Sequence, residues 1–164
     1  MSAYNIEHII NFAPVNEQIA TSGQPDRDAF PLIKSAGYQL IIYLATSAST
    51  NHIPDEPQIV ADLGMDFIHI PVLWDSPQPI QFEEFTHVLE QNRDKKVFIH
   101  CALNYRVSCF IFLYLVLFHH SDPESAWWSM LEIWDPNPTW LTFMKMVLAQ
   151  HHAAPFSRLE ITTP

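Results

Sequence analysis

Glycine is scarce in this chain: it occurs three times in 164 residues, against thirteen prolines. Turn chemistry therefore leans on Pro, Asn, Asp and Ser. Cysteine is scarcer still. Two thiols, Cys101 and Cys109, do not read as a disulfide framework, and a reducing, cytoplasmic setting is the default expectation. Basic residues are few, eight Lys and Arg against eighteen Asp and Glu, a net charge of -10. That balance argues against nucleic acid and anionic membrane surfaces as partners. An anionic ligand must then be captured locally, against the field of the whole molecule. No apolar run is long: Val107 to Phe118, twelve residues, is too short to span a bilayer and fits a buried core helix. The segment Met1–Glu7 lacks a basic stretch followed by an apolar core, so no signal peptide is expected. There is no internal repeat, low-complexity tract or charge block. The pairs His119–His120 and His151–His152 point to different sides of a helix, and His52 and His69 have no ligand-like spacing, so neither metal nor cofactor is called for.

Apolar residues make up 48% of the chain and charged residues 16%, a globular composition on a length that fits one domain. The expected domain is 1–164, with a core over about 18–119 and a helical part over 122–152. The pattern predicts strands at 39–44, 66–70 and 96–100, and a strand end and turn at 21–25. It predicts helices at 26–36 (capped by Gly37), 58–63 (stopped by Gly64), 80–92, 107–119, 122–134 and 138–152. Polar or proline-rich loops fill 45–57 and 72–79. Strands alternating with helices indicate an α/β fold with a mainly parallel central sheet flanked by helices. Trp127, Trp128, Trp134 and Trp140 read as packing between the two terminal helices. Glu83 and Glu84 read as complements to a helix dipole, and Lys95 and Lys96 as a solvated turn.

One stretch carries chemistry. The strand ending at His100 runs directly into Cys101, Arg106 follows five residues later, and then comes the most apolar helix. A thiol is thus placed at the C-terminal end of a strand, where open α/β sheets bind ligands, and beside a helix N-terminus. Unpaired N–H groups and positive partial charge there stabilise a thiolate and can cradle an oxyanion. Arg106 supplies the planar fork suited to bidentate capture of phosphate. The plain alternative for Cys101 is a small buried hydrophobe. Cys109, inside the apolar helix, reads most simply as a core residue; a redox partnership with Cys101 is the other reading.

The segment Val97-Phe98-Ile99-His100-Cys101-Ala102-Leu103-Asn104-Tyr105-Arg106-Val107-Ser108 resembles the signature loop of the protein tyrosine and dual-specificity phosphatases. Ser22-Gly23-Gln24-Pro25, Ala36-Gly37-Tyr38, the block from Leu63 to Val72 and Trp140-Leu141-Thr142-Phe143 resemble a bacterial phosphatase-like branch of that superfamily. The resemblance implies the cysteine-phosphatase fold and three roles. Cys101 would attack phosphorus and form a phosphocysteine. Arg106 would bind the equatorial oxygens. An Asp on the loop after the preceding strand would protonate the leaving oxygen, and Asp75 is the one carboxylate there, 26 residues before Cys101. A turn residue before a proline is the other reading of Asp75. The phosphate-binding loop would be Ala102, Leu103, Asn104, Tyr105, Arg106 and Val107. His100 would order the loop and tune the thiol, unless it is simply a satisfied histidine at a strand end.

The chain departs from the family pattern in three ways. Four residues separate Cys101 from Arg106 where five are usual, a length that also matches the rhodanese sulfurtransferases, in which a Cys carries a persulfide. The loop has no glycine, and Asn104 is the residue best able to take a positive φ. Val107 stands where Ser or Thr usually follows the Arg, with Ser108 one position later. Three functions are compatible with these residues: a cysteine-dependent phosphatase acting on phosphomonoesters, possibly phosphoproteins; a phosphatase-like anion-binding module with little or no turnover; and a rhodanese-like sulfurtransferase.

Overall fold

The structure, a computed structural model, describes residues 4–154 and 156–160. Met1–Ala3 of the segment read for targeting lie outside the described residues.

Five strands form one sheet in the order β1-β2-β5-β3-β4: β1 (Ala13–Pro14), β2 (Ile19–Ser22), β3 (Leu40–Tyr43), β4 (Asp66–His69) and β5 (Val97–His100). All neighbours are parallel except β1, a two-residue edge strand antiparallel to β2. The helices are α1 (Ala29–Ser35), α2 (Glu56–Asp62), α3 (Pro79–Gln91), α4 (Tyr105–Phe118), α5 (Pro123–Leu131), α6 (Pro138–Gln150) and α7 (Ser157–Glu160). The α/β fold with a mainly parallel sheet is therefore as the pattern implies. The short edge strand, a 3-10 turn at Ile6–His8 and α7 have no periodic signal and were not anticipated.

β5 lies in the middle of the sheet, and its four residues are buried on both faces. Side chains alternate along a strand. Val97 and Ile99 join the core under α3 to α6, while Phe98 joins the core under α1 and α2. The same alternation sends His100 toward α1 and α2, and Cys101 into the core beside α4. In the parallel register His100 sits level with Ser22 on one side and Tyr43 on the other. Three strand ends are thus aligned at the edge from which the Cys101 loop departs.

α4 is the apolar hub. Arg106 to Tyr114 are all buried, and Phe110 stacks on Phe143 and meets Phe82 and Phe85 edge-on. Burying one such phenylalanine stabilises the fold by about 1.5–3 kcal/mol. α4 starts at Tyr105 and not at Val107, so Arg106 belongs to its first turn. α2 likewise starts two residues before the expected 58, because Pro57 sits comfortably in a first turn.

Several surface and tail expectations are corrected. Trp140 is fully buried and Trp134 meets it edge-on at 6.5 Å while also packing against Trp74 and Tyr105, but Trp128 is 52% exposed beneath Arg158. No acidic residue lies in the first turn of α3; Glu83 is further along and pairs with His151 at 2.8 Å. Lys96 is no free turn residue: its Nζ donates to Ala36 O at 2.8 Å, closing the C-terminal end of α1 beside Gly37, whose φ of 98° suits glycine. Among the described residues no helix is long and apolar enough to cross a membrane.

Candidate functional site

Cys101 leaves the sheet at the end of β5, and the chain turns through Ala102, Leu103 and Asn104 into α4. Asn104 takes the left-handed conformation, φ 69°, so it does the work usually left to glycine. Its Nδ2 donates to Asn11 O at 2.9 Å and Thr21 Oγ1 at 3.0 Å, which holds the strained residue in place.

The loop has a saturated back. Ala102 O accepts from Gln24 N at 2.9 Å and Asn51 Nδ2 at 3.1 Å, and Leu103 O accepts from Asn11 Nδ2 at 2.9 Å. Gly23 backs it closely: a Cβ there would lie 2.7 Å from Ala102 O and 3.1 Å from Leu103 Cα. The front is different. Among the described residues no hydrogen-bond acceptor is found for the amides of Ala102, Leu103, Asn104, Tyr105, Arg106 or Val107. With these carbonyls paired on the back, successive amides without acceptors at a helix start are an arrangement that can cradle an anion.

Arg106 is 6% exposed. One guanidinium nitrogen donates to Val72 O at 2.9 Å, and the group lies 5.8 Å from the Trp74 ring. No carboxylate stands within ion-pair distance of it among the described residues. A buried cation without a counter-charge is costly unless something anionic meets it. Cys101, Arg106, Leu103, Tyr105 and Trp74 line one cavity of about 160 Å3. Arg106 and Trp74 also line an adjoining, more open cavity with Thr46, Ser49, Leu73 and Asp75. The structure thus gathers Cys101, Arg106 and Asp75 around two adjoining hollows. Asp75 itself sits exposed on a turn whose Ser76 N donates to Leu73 O at 3.2 Å.

Trp74 is held from behind. Its carbonyl accepts from Trp140 Nε1 at 3.0 Å, and Trp134 stacks flat on Tyr105 at 4.7 Å between ring centres. The site therefore has an aromatic wall made by three separate elements. Ser108 belongs to that wall and not to the thiol: its Oγ donates to Tyr105 O at 2.7 Å and accepts from Trp134 Nε1 at 2.9 Å. Cys109 is fully buried, and burial pushes its thiol well up from the ordinary range. Both cysteines are free.

His100 is fully buried, 2.5 Å through Nε2 from Glu56 Oε2 and 3.2 Å through Nδ1 from Cys101 O. Glu56, Gln24, Asn11, Asn51, Trp74 and Trp134 surround the loop, and the sequence did not single them out as site residues. A glutamate in a short helix 45 residues before the thiol gives no local signal, although Gln24 stands in a block already singled out.

No family model matches the chain, and no curated protein matches it. Solved structures do. A Shewanella putrefaciens CN-32 protein described as "Putative phosphatase (DUF442)" is 30% identical over 90% of this chain and 97% of its own, with a TM-score of 0.82. PTPMT1 in complex with PI(5)P is 13% identical over 86% of this chain and 96% of its own, TM-score 0.71. The core catalytic domain of the PP-IP phosphatase SIW14 from S. cerevisiae, in complex with citrate, is 15% identical over 90% and 98%, TM-score 0.68. The last two share the fold; the first shares the sequence as well. The chain therefore belongs to the DUF442 family of putative phosphatases, and it shares its fold with PTPMT1 and SIW14.

Proposed function

We propose that this chain is a cysteine-dependent phosphatase that hydrolyses phosphomonoesters through a phosphocysteine intermediate. The observation that carries this reading is the buried Arg106, without a carboxylate partner among the described residues, in one hollow with the Cys101 thiol and next to a helix start whose amides find no acceptor among the described residues. A phosphoryl dianion would satisfy the donors and the charge together. Cys101 Sγ, as thiolate, attacks phosphorus as the P–O bond to the leaving group breaks. Asp75 gives its proton to the departing oxygen. Water, deprotonated by Asp75, then attacks phosphorus, the S–P bond breaks, and thiolate and phosphate are released. Arg106 and the loop amides hold the equatorial oxygens throughout.

Arg106 is the one cation among the residues lining the two hollows, whose walls are otherwise Trp74, Tyr105, Leu73 and Leu103 with the polar Thr46, Ser49, Asp75 and Ser76. This favours a substrate with a single phosphate over a polyphosphorylated one. The four-residue loop favours a second reading, sulfur transfer through a persulfide on Cys101. Purified protein given an aryl phosphate, and separately thiosulfate with cyanide, each beside Cys101→Ser, distinguishes them. Cys101-dependent phosphate release is expected. Cys101-dependent thiocyanate without phosphate release would replace the phosphatase reading with the second. Silence in both assays with vanadate still bound would leave a binding module.

A further inference from the structure

Behind the thiol lies a buried polar chain that the phosphatase mechanism does not use. Glu56, the first residue of α2, is 2% exposed, and none of its hydrogen bonds reaches solvent-facing groups. Its Oε1 accepts from Gln24 Nε2 at 2.8 Å, and its Oε2 lies 2.5 Å from His100 Nε2. Gln24 uses its second amide proton on Pro25 O at 3.0 Å, which leaves its buried Oε1 with no partner. Leaving that oxygen unpaired costs about 1–3 kcal/mol. The amide keeps this orientation because the reverse would aim its oxygen at two acceptors. The backbone N–H of the same Gln24 donates to Ala102 O, so Gln24 ties the carboxyl of Glu56 to the loop itself.

The imidazole meets an acceptor at each end. Nε2 faces the Glu56 carboxyl, and Nδ1 faces Cys101 O, which can only accept. Nδ1 must therefore carry a proton. The second proton of the pair is on Nε2 with an ionised Glu56, or on a neutral Glu56 donating to Nε2. Amides at the start of α2 and the Gln24 donor both favour the carboxylate. Other groups around the ring are Tyr43 on β3, with its ring centre 4.8 Å away, and Phe30 on α1 at 6.5 Å. The Tyr43 phenol is pushed up to about 12, by burial first and then by the Glu56 charge, so it stays neutral there. His52 and His69 stack on Tyr43, and Arg106 and Cys101 also act electrostatically on its phenol.

We propose that Glu56 is a positioning residue that keeps His100 protonated on both ring nitrogens. The resulting ion pair anchors the Cys101 carbonyl and sets a positive charge against the backbone of the thiol's own residue. This rests on the reading of Cys101 as a functional thiolate, but its test needs no phosphatase substrate. Glu56→Gln is the informative change. It is isosteric, can still accept from Gln24 through Oε1 and can donate to His100 Nε2, so the hydrogen bonds persist while the charge is gone.

Nitrogen-15 spectra of the histidine rings at neutral pH should show His100 with two bonded protons in the wild type and one in Glu56→Gln, with His100→Asn assigning the signal. The rate of iodoacetamide capture at Cys101 should fall about tenfold in Glu56→Gln, equivalent to about 1.4 kcal/mol, while circular dichroism stays native. If the variant fails to fold, the wild-type spectrum decides alone. A single bonded proton on His100 in the wild type, or an unchanged capture rate in a folded Glu56→Gln, overturns the proposal. Failure of aryl phosphate hydrolysis with both signatures present would overturn the phosphatase reading and leave this one standing.

Discussion

The two sides of the Cys101 loop treat hydrogen bonds in opposite ways. On the back, the carbonyls of Ala102 and Leu103 accept three hydrogen bonds from Gln24, Asn51 and Asn11, and Asn104 is gripped by Asn11 and Thr21. On the front, among the described residues, six amides find no acceptor and the Arg106 guanidinium has one, Val72 O. The loop's carbonyls are used up on the back, while these donors find no partner among the described residues. The back is thus the structural element, and the front is where chemistry is to be sought. This explains how a loop without glycine can serve: the left-handed turn is enforced by side-chain clamps and not by backbone freedom.

Removing the thiol breaks the front most severely. Cys101→Ser is expected to lower aryl phosphate turnover by about 10⁴-fold or more, while the melting temperature stays near that of the wild type. Arg106→Lys replaces a fork with a point charge and weakens the tie to Val72 O. Turnover should fall about 100-fold, and vanadate binding should weaken with it. Breaking the back has a different signature. Asn104→Ala removes both clamps and leaves a Cβ-bearing residue at φ 69°, at a cost of about 2–3 kcal/mol. Chemical denaturation would register that loss. A variant as stable as the wild type would show that the back does not hold the loop.

Smaller effects sharpen the contrast. Measured as kcat/KM, which reports only formation of the phosphocysteine, Asp75→Asn should slow alkyl phosphates by about ten- to 100-fold but leave p-nitrophenyl phosphate nearly unchanged, since that leaving group needs no proton. Equal loss of kcat/KM on both would remove Asp75 from proton transfer to the leaving group. Cys109→Ala should change turnover less than about twofold and cost about 1 kcal/mol of stability. Mass spectrometry of the native protein should find iodoacetamide on Cys101 alone. Burial raises the Tyr43 and Tyr114 phenols to about 12. A raised acid keeps its stabilising share below the unfolded value, near 10, and loses it as pH climbs through the folded value. Melting temperature should therefore fall between about pH 10 and 12, and Tyr43→Phe should flatten that fall.

The sequence made the front of this site readable and hid its back. Cys101, Arg106 and Asn104 lie within six residues, on a strand-to-helix junction that apolar periodicity marks clearly. Even there the helix begins at Tyr105, two residues early, because apolar patterning cannot see a polar first turn. The clamps come from positions 11, 21, 24, 51 and 56, which only the sheet order β1-β2-β5-β3-β4 brings to one edge. Asn11 and Asn51 are ordinary loop residues by composition, and nothing local tells a clamping Asn from a turn Asn. Trp134 was legible only in part: it meets Trp140 of α6 as its aromatic character implies, but its Nε1 also donates to Ser108 Oγ on α4. Long-range polar partners are set by topology, and topology has no local spelling.

The most direct measurement is covalent. Wild-type protein mixed with an aryl phosphate, quenched in acid within milliseconds and digested, should yield the peptide containing Cys101 with one phosphoryl group attached. Cys101→Ser, treated identically, should not carry it on a thiol. Steady phosphate release by the wild type with no phosphoryl group ever found on Cys101, and equal release by Cys101→Ser, would contradict the account at its centre.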